Sequence, residues 1–286
     1  MVVSYHLFIK RSLGDEMWGE KMDYRSFTFS IEEQVATIRL NRPDTLNSLT
    51  FEVYAELEKV FADLGQENSA RVVVLTGEGR GFCSGGSVTD IIEPLLKQDI
   101  KDKYRFTRMT CNVVRNMRRL RKPIIAAVNG VAAGAGAMLA LASDIRLCAE
   151  QARFAFLFVK VGLAGTDMGA AWLLPRIVGA GRAAELLFTG RSVGTEEALR
   201  IGLANRVVPA DELMGETTAL ASKLADGPAQ AIGLTKELIN NEASMSLEEA
   251  LEVEAQSQCW LMETPEFREG YQAFVEKRAP SFRKFD

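Results

Sequence analysis

Two glycine-rich stretches and one isolated carboxylate are the residues of this chain best suited to chemistry. The first stretch runs Gly77-Glu78-Gly79-Arg80-Gly81-Phe82-Cys83-Ser84-Gly85-Gly86-Ser87-Val88, directly after the apolar run 72–76. The second holds Gly130 and Gly134-Ala135-Gly136, and follows the apolar run 124–128 that Pro123 opens. Glycine lets main chain approach a ligand closely, and a helix start offers unpaired N–H groups to developing negative charge. The same cluster could equally be a tight strand–helix packing corner, and both readings stay open on these residues alone. Neither stretch has the Lys-Ser/Thr of a phosphate loop or the spacing of a dinucleotide fingerprint, so nucleotide cofactors are not supported.

The carboxylate is Asp167, in Val161-Gly162-Leu163-Ala164-Gly165-Thr166-Asp167-Met168-Gly169-Ala170-Ala171-Trp172. An Asp in a Gly/Ala loop near a helix start can be an N-cap, at about 1 kcal/mol. It can also be a carboxylate in an apolar pocket, where burial raises proton affinity. Asp90 and Glu93, near the first turn, read as a solvated helix start. His6 is the sole histidine and lies in the N-terminal extension, which argues against a Ser-His-Asp or Cys-His device and against a histidine metal site. The four cysteines (Cys83, Cys111, Cys148, Cys259) have no CxxC spacing and suit free thiols in a reducing compartment. No metal site is expected.

The elements that must position these residues alternate strand and helix. Residues 27–31 and 34–40 predict a hairpin through Glu32-Glu33, and residues 51–64 a helix with Val53, Leu57, Val60, Phe61 and Leu64 on one face. Residues 72–76 and 124–128 are too apolar to be exposed strands. Residues 101–122 predict a helix with Phe106, Met109, Val113, Met117 and Leu120 inward and a basic stripe, Lys101 to Lys122, outward. That stripe reads as a solvated face. Further strands are expected over 144–148, near Phe154 and over 206–208, with a helix that the stretch 161–172 opens and that runs to Val178, and with 185–189 and 195–200 completing the α/β part. From Asp211 onward the signals are helical only: 213–225, 230–240, 246–262 and 265–278. Their apolar faces exceed what a lone tail can bury, which suggests packing on a neighbouring subunit.

Composition bounds the rest. The chain has 286 residues, 47% hydrophobic and 25% charged, with net charge −4 and a pI near 5.4. These are ordinary values for a globular enzyme and argue against general nucleic-acid or membrane binding. The first twenty-odd residues fit neither a secretory signal nor an acid-poor transit peptide, so a cytoplasmic location is expected.

Together these stretches resemble the crotonase superfamily, the enoyl-CoA hydratase/isomerase family, from about Tyr24 to the C-terminus. The markers are Leu40-Asn41-Arg42-Pro43…Leu46-Asn47, Gly81 to Gly86, Lys122-Pro123…Asn129-Gly130…Gly134-Ala135-Gly136, Ser143-Asp144 and Glu269-Gly270…Phe274…Lys277-Arg278. The resemblance implies an α/β fold: an N-terminal extension (1–23), a spiral of ββα units forming an acyl-CoA-binding core (24–210), and a helical trimerisation region (211–286). It further implies homotrimers or dimers of trimers, acyl-CoA thioester substrates, and no cofactor beyond the coenzyme A of the substrate. Two backbone N–H groups, at Gly86 and Ala135 by resemblance, would stabilise an enolate or oxyanion, each worth a few kcal/mol. The CoA arm would be held near Thr45, Leu46, Ser84 and Val88, with Phe282 and Lys284 toward the adenosine end.

The chain also departs from the family. Hydratases typically use two glutamates, and the matching positions here are Met138 and Phe158; Ser87 replaces an Asp common after the first turn. Asp167 matches a position where some members carry a catalytic aspartate, so the resemblance favours proton transfer over capping. Met138 and Phe158 would make the acyl pocket apolar and suited to a bulky acyl group. Isomerisation or hydration with an altered acid–base set is expected. The alternatives are an inactive acyl-CoA-binding subunit and a CoA-ester hydrolase with the Asp as nucleophile.

Overall fold

The computed structural model describes residues 24–285; the extension 1–23, with His6, lies outside the described residues. β1 (Phe27–Glu32) and β2 (Val35–Leu40) form the expected hairpin, with Phe27 opposite Leu40. The turn is at Glu33-Gln34 rather than Glu32-Glu33. Both residues have positive φ (47° and 64°), whose twist suits a two-residue hairpin. α1 (Phe51–Asp63) begins at Thr50, whose hydroxyl accepts the Val53 N–H. β3 (Val72–Gly77) is buried at every position, as a parallel strand covered on both faces must be.

Three ββα repeats then build the site. β4 (Gly81–Cys83) leads through a π-turn (Val88–Ile92) into α2 (Glu93–Lys97) and α3 (Ile100–Arg119). β5 (Ile124–Val128) and β6 (Val131–Ala133) lead into α4 (Ala135–Ala142), and β7 (Ile145–Ala149) and β8 (Arg153–Ala155) follow. Next come α5 (Ala170–Val178), α6 (Ala180–Thr189), β9 (Ser192–Gly194), α7 (Thr195–Arg200) and β10 (Arg206–Val208). The long strands form one sheet in the order β1-β2-β3-β5-β7-β10, and the short ones a second, β4-β6-β8-β9. Each repeat thus contributes to both sheets and the chain winds as a spiral. Because β4 and β6 are parallel neighbours, the turns that leave them emerge side by side.

Three expectations need correction. The third helix ends at Arg119, not Lys122: Leu120 is extended (ψ 121°), and Pro123 disfavours a helical Lys122. The Lys122 ammonium donates to the carbonyls of Leu64 and Glu67, so it is not part of the solvated stripe. β7 starts at Ile145 because the Asp144 carboxylate accepts the Ile124 N–H (2.8 Å) and pairs with Arg118 (3.1 Å) and Lys236 (2.7 Å). Finally, β9 had no foreseen counterpart. It gains its stability from antiparallel pairing with β8, not from its three residues.

The C-terminal part is helical as expected: α8 (Leu213–Ala225), α9 (Ala229–Asn241), α10 (Leu247–Met262) and α11 (Pro265–Glu276). α8 covers the outer face of the large sheet, where Leu213, Ala221 and Ala225 meet Val72, Val74 and Ile125. α9 is pinned by Lys236, whose ammonium reaches the carbonyls of Met117 and Lys122. α10 and α11 leave Leu251, Trp260, Tyr271 and Phe274 exposed.

Candidate active site

The two glycine-rich turns meet. Gly85 has φ 96°, and a Cβ there would sit 2.8 Å from the Ala133 carbonyl and 3.4 Å from the Ala135 nitrogen. Gly134, at φ 50°, faces Gly85 in return. A Cβ on Gly136 would stand 2.1 Å from the Cys83 oxygen, and one on Gly130 2.1 Å from the Arg80 oxygen, so only glycine permits this approach. Asn47 and Asn129 staple the entry. Asn47 donates to the Glu78 and Gly81 carbonyls, and Asn129 to those of Gly79 and Gly81. The packing-corner reading of the glycine clusters is therefore realised in these contacts.

Around Gly86 the backbone has the form of a one-residue parallel bridge to Leu49. The Leu49 N–H donates to the Gly85 carbonyl and the Ser87 N–H to the Leu49 carbonyl, so the Gly86 N–H is turned away from that strand. The Ala135 N–H opens α4, where no preceding turn can accept it. Among the described residues neither N–H has an acceptor. Two unpaired donors on adjacent turns can donate to the same oxygen.

Asp167 lies in a separate 3-10 turn, Asp167–Gly169, where Met168 (φ 51°) and Gly169 (φ 87°) are both left-handed. Met168 is buried and anchors the turn to the core. The capping reading fails locally, because among the described residues no side chain caps α5 and the Asp167 Oδ1 accepts only the Met168 N–H, at 2.8 Å. Asp167 has no ion-pair partner among the described residues. Burial raises its pKa above the ordinary carboxylate value, and the Met168 N–H opposes this only in part. The arrangement is a desolvated, unpaired carboxylate able to take up and return a proton.

The remaining expected residues fall into three groups. Thr45, Leu46 and Ser84 are brought together: the Ser84 hydroxyl donates to the Thr45 carbonyl at 3.0 Å and the Ser84 N–H to the Leu46 carbonyl at 2.9 Å. Val88 stands beside them in the chain with 72% of its surface exposed. Met138 and Phe158 are buried in the apolar cluster that also holds Ala135 and Met168, so their inward placement accords with an apolar surround. Phe282 and Lys284 lie beyond α11, in the segment that ends in a 3-10 turn at Arg283–Phe285. Phe282 lines a groove of about 470 Å³ with Phe267, Tyr271 and Phe274, and Lys284 pairs with Glu269 at 2.8 Å. No contact ties them to Gly86 or Ala135 within this chain.

Asp90 and Glu93 are occupied as expected of a helix start. Ser87 caps Asp90, which pairs with Arg42, and Glu93 pairs with Lys97. The Cys83 thiol, buried behind the first turn, is pushed up to about 12 by desolvation and is no nucleophile. No three His, Cys, Asp or Glu side chains among the described residues form a metal-binding group. No described helix is long and apolar enough to cross a membrane. Sequence reasoning missed Tyr54, a buried phenol on α1 whose oxygen lies 3.7 Å from the place of a Cβ on Gly86.

Comparison with known proteins agrees with this geometry. The family model described as enoyl-CoA hydratase/isomerase matches residues 30–284. The chain is 38% identical over 258 residues to the 1,2-epoxyphenylacetyl-CoA isomerase of Escherichia coli K12, covering 88% of this chain and 96% of that one. It is 39% identical over 254 residues to a probable enoyl-CoA hydratase of Mycobacterium bovis, covering 87% and 89%. A solved structure from Streptomyces coelicolor A3(2), assigned to the enoyl-CoA hydratases, superposes with a TM-score of 0.91 at 46% identity and covers 95% of this chain and 99% of that one. With paired glycine-rich turns, the two-sheet spiral and a match over nearly the whole described chain, this protein belongs to the enoyl-CoA hydratase/isomerase family, the crotonase superfamily.

Proposed function

We propose that the protein is an acyl-CoA isomerase in which Asp167 carries the proton and the Gly86 and Ala135 N–H groups hold the thioester oxygen. The carboxylate removes a proton from an acyl carbon, and the C–H electrons move into the thioester carbonyl to give an enolate. The two N–H groups stabilise its oxygen, at a few kcal/mol each. The resulting carboxylic acid returns the proton to another carbon of the conjugated system as the electrons flow back, so the step is redox-neutral. The single observation that carries this reading is the desolvated, unpaired Asp167 in a site whose two usual glutamate positions hold Met138 and Phe158. One carboxylate serves a one-proton shuttle better than it serves addition of water, which needs a base for the water and an acid for the carbon. The E. coli relative named as an isomerase supports the same choice.

Under this proposal the CoA arm lies along Thr45, Leu46, Ser84 and Val88, with Met138 and Phe158 setting the apolar character of the acyl pocket. Phe282 and Lys284 would meet the adenosine end across a subunit boundary. The exposed apolar faces of α10 and α11 support a homotrimer or a dimer of trimers. We assign no cofactor beyond the substrate's own coenzyme A, and a cytoplasmic location.

The test is incubation of wild type and Asp167→Asn with aliphatic, alicyclic and aromatic acyl-CoA esters in deuterated water, read by mass spectrometry. Deuterium uptake without an added water, lost in the variant, is the expected result. Undiminished uptake by Asp167→Asn would refute the assignment of the proton carrier.

A further inference from the structure

Tyr54 is an anomaly within its own helix. Its ring belongs to the core, packed edge-on against Phe106 at 5.5 Å, in contact with a cluster where phenylalanine would fit as well. Its hydroxyl is another matter. The residue is 3% exposed, and the hydroxyl makes no hydrogen bond with any described residue. Phe would supply the same packing, so the hydroxyl is the part of Tyr54 that the core does not require. The oxygen stands beside Gly86, one residue of the oxyanion pair. It also lies within the electrostatic reach of Asp167 without bonding to it: burial above all, then the neighbouring Cys83 and Asp167, push the phenol well above its ordinary pKa, so it stays a neutral donor.

An acyl chain whose thioester oxygen is held at Gly86 and Ala135, and whose reacting carbon faces Asp167, must run past this hydroxyl. We infer that Tyr54 contacts the substrate and donates a hydrogen bond to an oxygen carried on the acyl chain, selecting oxygen-bearing acyl-CoA esters over plain hydrocarbon ones. This rests on the assignment of the hole and of Asp167 made above. The thioester oxygen already has two backbone donors, which leaves the acyl chain as the place where the third donor finds an acceptor. Tyr54 thereby becomes a specificity-determining residue that breaks the apolar lining set by Met138 and Phe158.

The experiment measures binding by calorimetry with the full chain in the Asp167→Asn background, using butyryl-CoA and its 2-hydroxy and 3-hydroxy analogues. The parent variant is expected to bind the better of the two hydroxy esters roughly 5–10-fold more tightly than butyryl-CoA, the worth of one net hydrogen bond. Adding Tyr54→Phe should erase that preference, leave butyryl-CoA affinity within about twofold, and leave Tm no lower than that of the parent variant. A preference that survives Tyr54→Phe, or no preference at the outset, overturns the inference. So does equal weakening of all three esters, which would make Tyr54 a third donor to the thioester oxygen, or a drop in Tm, which would make it structural. Mass analysis of the recovered esters keeps the two assignments apart: conversion in the Asp167→Asn background counts against the proton carrier, whereas the affinity ratio alone judges Tyr54.

Discussion

The contact between Gly136 and Cys83 offers a way to displace the proposed oxyanion pair without touching either donor. A methyl group on Gly136 would meet the Cys83 carbonyl oxygen at 2.1 Å and its carbonyl carbon at 2.7 Å, and both are main-chain atoms that cannot rotate aside. Restoring ordinary contact requires α4 and the β4 turn to separate by about 1 Å. Gly136 adjoins one donor, Ala135, and Cys83 lies three residues before the other, Gly86, so that movement falls directly on the spacing of the pair. A donor displaced by about 1 Å loses most of its bond to a shared oxygen, and the rate should fall roughly 100- to 1000-fold. Overpacking should also cost about 1–3 kcal/mol in stability. The assay is kcat of Gly136→Ala on whichever ester the wild type converts, together with urea unfolding. Gly215→Ala serves as control: Gly215 lies within α8 with open space where the methyl would go, so activity should hold and stability rise by up to about 1 kcal/mol. A folded Gly136→Ala with near wild-type kcat would refute the idea that this contact sets the donor geometry.

Two further outcomes follow from the half-buried Asp167 and the buried Glu269. Asp167 has a raised folded-state pKa, so its ionisation opposes folding: there is no penalty below the ordinary Asp value of 3.8, and it grows as pH rises through the folded value. Asp167→Asn should accordingly be inactive yet melt higher than wild type at pH 7, with the gain vanishing in acid; a lower Tm at pH 7 would contradict the desolvated environment. Glu269 is the opposite case. Arg278, Lys284 and the Ser281 N–H hold its pKa far below the usual 4.5, so its contribution is present above that value and is lost as pH falls toward the folded one. Glu269→Gln should lower Tm at pH 7, and the difference from wild type should shrink steadily below pH 4; a difference independent of pH would show that its charge is not what matters.

Much of this was legible in the residues. The hairpin, the buried strands and the four C-terminal helices carry strong periodicities and terminal signals, such as the capping box of Ser246 with Glu249 and the Thr264 cap before Pro265. The meeting of the two turns was visible because close main-chain approach demands glycine, and glycine is conspicuous, whereas Gly86 and Ala135 as an oxyanion pair follow only from the family resemblance. Other features left no local trace. β9 exists only through β8, and Lys122, just past the end of α3, reaches carbonyls at the end of α1. Tyr54 is invisible for a further reason: on an amphipathic helix a tyrosine at an apolar position reads as core, and only packing reveals whether its oxygen has found a partner.

The proposed oxyanion donors and the proposed proton carrier hang from different parts of the frame. The donors are locked by interleaved turns of two stacked repeats, whereas Asp167 rides on a short segment held by Met168 and by Gly165, where a methyl would strike the Leu187 carbonyl at 2.4 Å. Anchoring the thioester and choosing where the proton goes are therefore separable tasks. A lineage, or an engineer, could exchange the segment from Gly165 to Gly169 and redirect the chemistry while the enolate continued to be cradled by an unaltered chassis.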